Sequence, residues 1–154
     1  LIKINGVIFL SVAGRRERVM TSWRRAIGYG ILVWLIPFAV AFAAVGFKES
    51  WRSLFESIMA VTVAAVVVLL ALWYFRRVAQ PTAREGVLLG LIWLAISVLI
   101  DLPLMLSPPI NYSPQEYVAD IGVTYLMMPV ITAGIGRAAS LSADSATAAG
   151  RERR

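Results

Sequence analysis

Four stretches of the chain are almost wholly apolar over about 20 residues, the length a helix needs at about 1.5 Å per residue to cross a hydrocarbon layer about 30 Å thick. The first, 26–47, holds no charged side chain. The second, 55–75, carries one acid near its start, Glu56, and the third, 86–106, carries Asp101 and Pro103 near its far end. The fourth, 117–136, is less apolar and contains Asp120, Gly122, Pro129 and Gly134. A lone strand in lipid leaves its backbone unpaired, and a barrel needs alternating runs of about ten residues. The pattern therefore predicts an all-α membrane four-helix bundle with antiparallel up-down connectivity.

Composition agrees. Of 154 residues, 59% are hydrophobic and 16% charged, against about 45–50% and 25% in soluble domains. There is no Cys and no His, which excludes disulfides, thiolate nucleophiles, imidazole bases, histidine-ligated haem and the common zinc sites. With no nucleophile beside a base and no phosphate-cradling glycine loop, the chain is expected to be no enzyme. No catalytic, cofactor-binding or metal residue is assigned.

Charge sets the expected orientation. Fifteen Lys and Arg against nine Asp and Glu give +6. Lys3, Arg15, Arg16, Arg18, Arg24 and Arg25 precede the first span. Arg76, Arg77 and Arg84 lie between the second and third, and Arg137, Arg151, Arg153 and Arg154 follow the fourth. The remaining connections hold only Lys48 and Arg52. The positive-inside rule then predicts a multi-pass protein of the inner cell membrane with both termini cytoplasmic. Basic residues in short clusters beside spans suit anionic headgroups, at about 1 kcal/mol each, and not nucleic acid. The expected partner is the lipid bilayer, with a homo-oligomer or a membrane protein partner as further candidates. The organisation expected is a basic N-terminal segment (1–25), a four-span domain (26–136) and a mobile basic tail (137–154). Met20 stands just before the first span, so 1–19 reads as an extension upstream of a native start.

Trp23, Trp51, Trp73, Tyr74, Tyr112 and Tyr117 fall near span ends, where amphipathic rings anchor at the interface. Trp34 and Trp93 lie deeper and read as packing residues whose indole N–H groups need partners. The short loop 76–85 makes the second and third spans expected neighbours, and three prolines predict a stiff, extended third loop. Pro37, Pro103 and Pro129 each predict a kink. Arg25–Leu35 overlays Arg84–Leu94, and Met59–Thr62 overlays Ile121–Thr124. A true duplication would be a parallel repeat about an axis along the membrane normal.

On the third span Gly86, Gly90, Trp93, Ser97 and Asp101 share one face. Gly86 and Gly90 form a GxxxG pair suited to close helix packing within the monomer, and Thr132 and Gly136 repeat the small-residue pattern on the fourth span.

The acids carry the candidate chemistry. Glu56, Asp101 and Asp120 all lie toward the outer leaflet in this orientation. Asp101 is deepest, and an ionised Asp at a helix centre costs about 2.5–3.5 kcal/mol on insertion scales. Glu56 and Asp120 stand near helix N-termini, whose dipoles favour negative charge. In a functional reading the three converge, with Ser97, Thr124 or Tyr125, on an outward-opening site for a proton or a cation. In the simpler structural reading Asp101 pairs with Lys48 or Arg52.

The segments KESWRSLFESIMAV, EGVLLGLIWLAISVLIDLPL and DIGVTYLMMPVITAGIG resemble a group of small, uncharacterised prokaryotic four-span integral membrane proteins. That resemblance implies the architecture and no activity. The leading expectation is a non-enzymatic accessory, assembly or self-associating four-helix bundle. A small transporter or channel-like protein with an outward-facing carboxylate site is the alternative.

Overall fold

The computed structural model describes residues 20, 22–47, 50–108 and 110–152. Lys48 and the side chain of Asp120 lie outside the described residues. Helix α1 spans Trp23–Ala44 and runs into a 3-10 turn, Val45–Phe47. Helices α2 (Arg52–Phe75) and α3 (Ala83–Leu106) follow. A short α4 (Pro114–Tyr117), a π turn (Val118–Gly122), a single turn α5 (Val123–Tyr125) and a long α6 (Met127–Glu152) complete the chain. Among the described residues there is no strand.

Among the described residues four helical stretches are long and apolar enough to cross a membrane: Trp23–Ala44, Arg52–Phe75, Ala83–Leu106 and Val123–Ser145. Their mean hydropathies are 2.1, 2.5, 2.4 and 1.3, so the fourth is the most polar. It also sits later in the chain than expected, with α4 and the π turn preceding it. The tail continues α6 to Glu152, since a segment rich in Ala138, Ala139, Ala143 and Ala149 has high helix propensity without any apolar stripe. The only interruption of this span is at Leu126. Pro129 supplies no N–H to the Tyr125 carbonyl four residues back, and the ladder breaks there. Helices α1 and α3, by contrast, continue through Pro37 and Pro103.

The bundle is apolar on its outer face and turns polar side chains of its spans inward, into an otherwise apolar core. Phe42, Leu99 and Val130 are more than 70% exposed, while Glu85, Ser97, Asp101 and Thr132 are buried. In water such an apolar exterior would be a large aggregation surface; in lipid it is the solvated face. The described chain is thus an all-helical, multi-pass membrane protein.

Packing order differs from order in the sequence. Closely packed pairs are α1 with α2, α2 with α6, α6 with α3, and α3 with α1. Consecutive helices α2 and α3 therefore lie across the bundle from one another, not side by side. The connection from Arg76 to Thr82 accommodates this. Seven residues reach more than about 20 Å when extended, and the diagonal of helices packed about 9–10 Å apart is about 13 Å. The same order removes the two-fold repeat, which would set α1 opposite α3; these two helices are adjacent. Their register is fixed by two indoles: Trp93 Nε1 donates to the Ala26 carbonyl at 2.9 Å and Trp34 Nε1 to Asp101 at 2.7 Å. Each bond joins residues 67 apart, so α1 and α3 run side by side in the same direction.

Helices α3 and α6 approach through glycine. A Cβ on Gly86 would stand 2.3 Å from the Thr132 carbonyl oxygen, and one on Gly90 2.3 Å from Pro129 Cα. Gly136 comes within 3.2 Å of Gly86 Cα by the same measure. Backbone occupies the space a methyl group would need, so neither side has a flexible atom to move. Gly90→Ala is accordingly expected to lower stability by about 1–3 kcal/mol. Gly28→Ala, with nothing within 4 Å of the added carbon, should not lower it, since Ala is the better helix former. Thermal unfolding in detergent micelles compares the two, and equal melting temperatures would contradict the packing described.

Candidate functional site

Asp101 projects from the buried face of α3 and is 4% exposed. Trp34 Nε1 of α1 donates to its Oδ1 at 2.7 Å, and the Tyr125 hydroxyl of α5 donates to Oδ2. Among the described residues both of its hydrogen-bond donors are neutral. Each oxygen is held in direction by an uncharged group.

The carboxylate borders a cavity of about 480 Å³ between the end of α3, the middle of α1, the start of α2 and the segment before α6. Its polar lining is Asp101, Arg52, Glu56 and Thr124. Rings supply much of the rest, from Trp34, Phe38, Phe55, Tyr112 and Tyr125. Trp34 and Phe38 stack with centroids 4.8 Å apart. Near the mouth, Arg52 Nε bonds Glu56 Oε1 at 2.7 Å, one helical turn apart and both largely exposed.

The loop after α3 shapes this end of the molecule. Its prolines do not keep it extended: the Ser107 carbonyl accepts from the amides of Ile110 and Asn111. Asn111, at φ 53°, takes the left-handed conformation that Asn tolerates better than most residues. The next amide, Tyr112 N–H, turns back to the Met105 carbonyl at 2.9 Å, and the Tyr112 ring joins the cavity wall. A capping box then starts α4. The Glu116 amide donates to Ser113 Oγ at 3.2 Å, and the Ser113 amide donates to Glu116 Oε2 at 2.8 Å. The Ser113 amide first, then its hydroxyl, holds the Glu116 carboxyl below the usual glutamate range. The π turn that follows contributes Ala119 and Ile121 to the cavity, and such turns recur at functional sites.

Two hydroxyls near this site are buried without a hydrogen-bond partner: Ser97, one turn before Asp101 on α3, and Tyr117 at the end of α4. Tyr117 lies within electrostatic reach of Asp101. Orphan polar atoms are uncommon in folded interiors, and here they fall beside the buried acid.

The opposite end of α3 holds a second buried carboxylate. Glu85 is 3% exposed and accepts from the Tyr74 hydroxyl at 2.7 Å, while Thr82 Oγ1 caps the helix by accepting from the Glu85 amide. Arg25 is within electrostatic reach of Tyr74.

Of the residues singled out in the sequence, Asp101, Glu56 and Arg52 meet at one cavity, joined by Thr124 and Tyr125. Ser97 stands one turn deeper, and Gly86 and Gly90 face α6. Arg52 bonds Glu56; Lys48, its alternative as a partner for Asp101, is outside the described residues. Trp34 turns out to be a donor to Asp101, and a lone apolar-span indole with no other use for its N–H was the available signal. Glu85 gave less sign of its burial, because it reads as an ordinary first-turn glutamate. Tyr74 and Tyr117 are buried at 1% and 2% exposure, not interfacial anchors; Trp23, Trp51 and Trp73 remain exposed. Comparison of the chain with known protein families, curated proteins and solved structures returned no match.

Trp34→Phe keeps a ring at the site and removes one donor from Asp101, and Tyr125→Phe removes the other. Each should cost about 1–3 kcal/mol in unfolding measured in micelles. Trp51→Phe, at a 64% exposed ring, should cost nothing detectable. Equal effects at all three positions would contradict the bonding of Asp101.

Proposed function

We propose that this is a non-enzymatic, four-span protein of the inner membrane in which Asp101 exchanges a proton or a cation with the outer side, as in a small transporter or channel-like protein. The observation that carries the reading is a buried carboxylate bordering a sizeable cavity while held by two neutral donors. A charge so placed costs several kcal/mol in a bundle surrounded by lipid, and either a proton or a bound cation offsets it. Arg52, the described cation at the cavity, is hydrogen-bonded to Glu56, which weakens the purely structural pairing with Asp101.

Up-down connectivity with both termini in the cytoplasm draws support from thirteen basic residues flanking one end of the spans against two at the other. The common direction of α1 and α3 is consistent with it. In that orientation the Asp101 end faces outward and the Glu85 end inward. An accessory or self-associating role rested on the want of any visible chemistry, and the Asp101 cavity supplies one. Among the described residues the titratable and charged groups that face the acid are Arg52 and Glu56 from α2, Tyr112 from the loop, Tyr117 from α4 and Tyr125 from α5, with the Trp34 indole from α1.

Reporter fusions test the topology: fusions after Arg77 and after Arg137 should report a cytoplasmic location, and one at Arg52 an external location. An exported reporter after Arg137 would overturn the orientation.

For the site, the chain reconstituted in liposomes should carry a proton or cation flux that Asp101→Asn abolishes while membrane abundance stays intact. If the substitution instead lowers abundance, and Arg52→Ala or Lys48→Ala does the same, Asp101 is a structural partner and the reading fails.

A further inference from the structure

The chemistry of the cavity wall says which cation fits. Among the described residues the charged side chains that line it are Arg52, Glu56 and Asp101, and their formal charges sum to one negative. A single positive charge on the occupant balances the site, and the place for it is beside Asp101, the buried member.

A hard divalent ion is a poor match. Calcium takes six to eight oxygen ligands and magnesium demands a near-octahedral set, whereas no group of three or more acids among the described residues comes together to hold a metal ion. Both Asp101 oxygens already accept from Trp34 and Tyr125. A bare sodium ion would also leave most of about 480 Å³ to be filled. Cavities of this size, apolar in most of their lining with a few polar groups, are the usual form of small-molecule sites.

Beside the acid the walls are aromatic. The Trp34 indole bonds Asp101 through its edge while its face stacks on Phe38, and Phe55, Tyr112 and Tyr125 also border the space. Ring faces attract ammonium groups by about 0.5–2 kcal/mol each, more when water is excluded. Met59 and Met105 add polarizable, adaptable surface of the kind that accommodates varied apolar bodies.

We propose that the Asp101 cavity binds a monovalent organic cation, an ammonium group carried on an apolar or aromatic body, with Asp101 as counter-ion and the Trp34, Phe38 and Tyr125 rings around the charge. This deepens the proposed function and rests on Asp101 being an exchanging group.

The test uses the full chain in lipid nanodiscs and three probes: benzyltrimethylammonium, its uncharged carbon analogue neopentylbenzene, and the inorganic ions sodium and magnesium. Binding is read by equilibrium dialysis for the organic probes and by calorimetry for the ions. The infrared carbonyl band of the Asp101 carboxyl, identified by its loss in Asp101→Asn, follows protonation and ion binding.

Benzyltrimethylammonium should bind once per chain. Asp101→Asn should weaken it by about tenfold or more, and Phe38→Ala by about two- to fivefold. Neopentylbenzene should bind at least about tenfold more weakly than its charged counterpart. Phe38→Ala alters an exposed ring and carries the test if Asp101→Asn does not fold, an unchanged affinity then counting against the proposal. Equal binding of the charged and uncharged probes would overturn it, leaving an apolar cavity without charge selection. Binding of sodium or magnesium at Asp101 without the ammonium probe would also overturn it, while the exchange reading survives. A carboxyl band indifferent to pH and to every probe would overturn both.

Discussion

Lipid offers a polar atom no partner, and that single constraint orders the molecule. Backbone groups are satisfied within helices, so the polar side chains of the spans are the ones left to place. They collect in the interior, chiefly along α3, where Glu85, Ser97 and Asp101 are buried together with Gly86, Gly90 and Trp93. Outward positions carry Phe42, Leu99 and Val130, which need nothing from their surroundings but hydrocarbon. Where hydrophobicity no longer distinguishes inside from outside, close backbone approach and hydrogen bonds between helices hold the bundle together.

Helix α3 is the meeting point of those two forces. One part of its buried face is stripped to glycine and receives the α6 backbone at Thr132 and Pro129. Another meets α1 through two indole bonds of equal register, Trp93 to Ala26 and Trp34 to Asp101. A rotation of α3 would break both at once, so polar bonds set its register while glycine sets its distance from α6. The cavity follows from the same arrangement. Past Gly90 the α3 face carries larger groups, and the α5–α6 ladder is broken at Leu126, so the helices no longer close on one another around Asp101.

The apolar runs made the four helices legible in the sequence, and periodicity identified the α3 face residue by residue, from Gly86 to Asp101. The cavity acids Glu56 and Asp101, with Arg52, were equally visible as rare charged residues in or beside apolar runs. What the sequence left hidden was relative placement. Nothing in a loop of seven residues distinguishes an adjacent from a diagonal crossing, so α2 and α3 read as neighbours. Tyr74 and Tyr117 occur where interfacial rings occur, and only their rotation about the helix axis turns them inward, one of them onto Glu85. The third loop shows another limit. Its prolines speak for extension, but the Ser113–Glu116 capping box and Pro114 at the helix start speak for a turn of helix, and local bonding prevailed.

The two buried acids of α3 stand in opposite electrostatic settings. Glu85 stands in the first turn, where the helix dipole and the unpaired amides favour a carboxylate. A tyrosine hydroxyl bonds it, and Arg25 and Arg84 belong to the same end of the chain's spans. Its setting thus favours a carboxylate through the helix dipole and a hydroxyl donor. Asp101 lies five residues before the carboxyl end of the same helix, where the dipole offers an anion nothing, and its donors are an indole and a phenol. A carboxyl group thus occupies a stabilised site at one end of α3 and a costly one at the other. A charge kept at a cost, bordering a cavity walled by aromatic rings, is where an exchanging ligand gains most, since its arrival relieves what the fold leaves uncompensated.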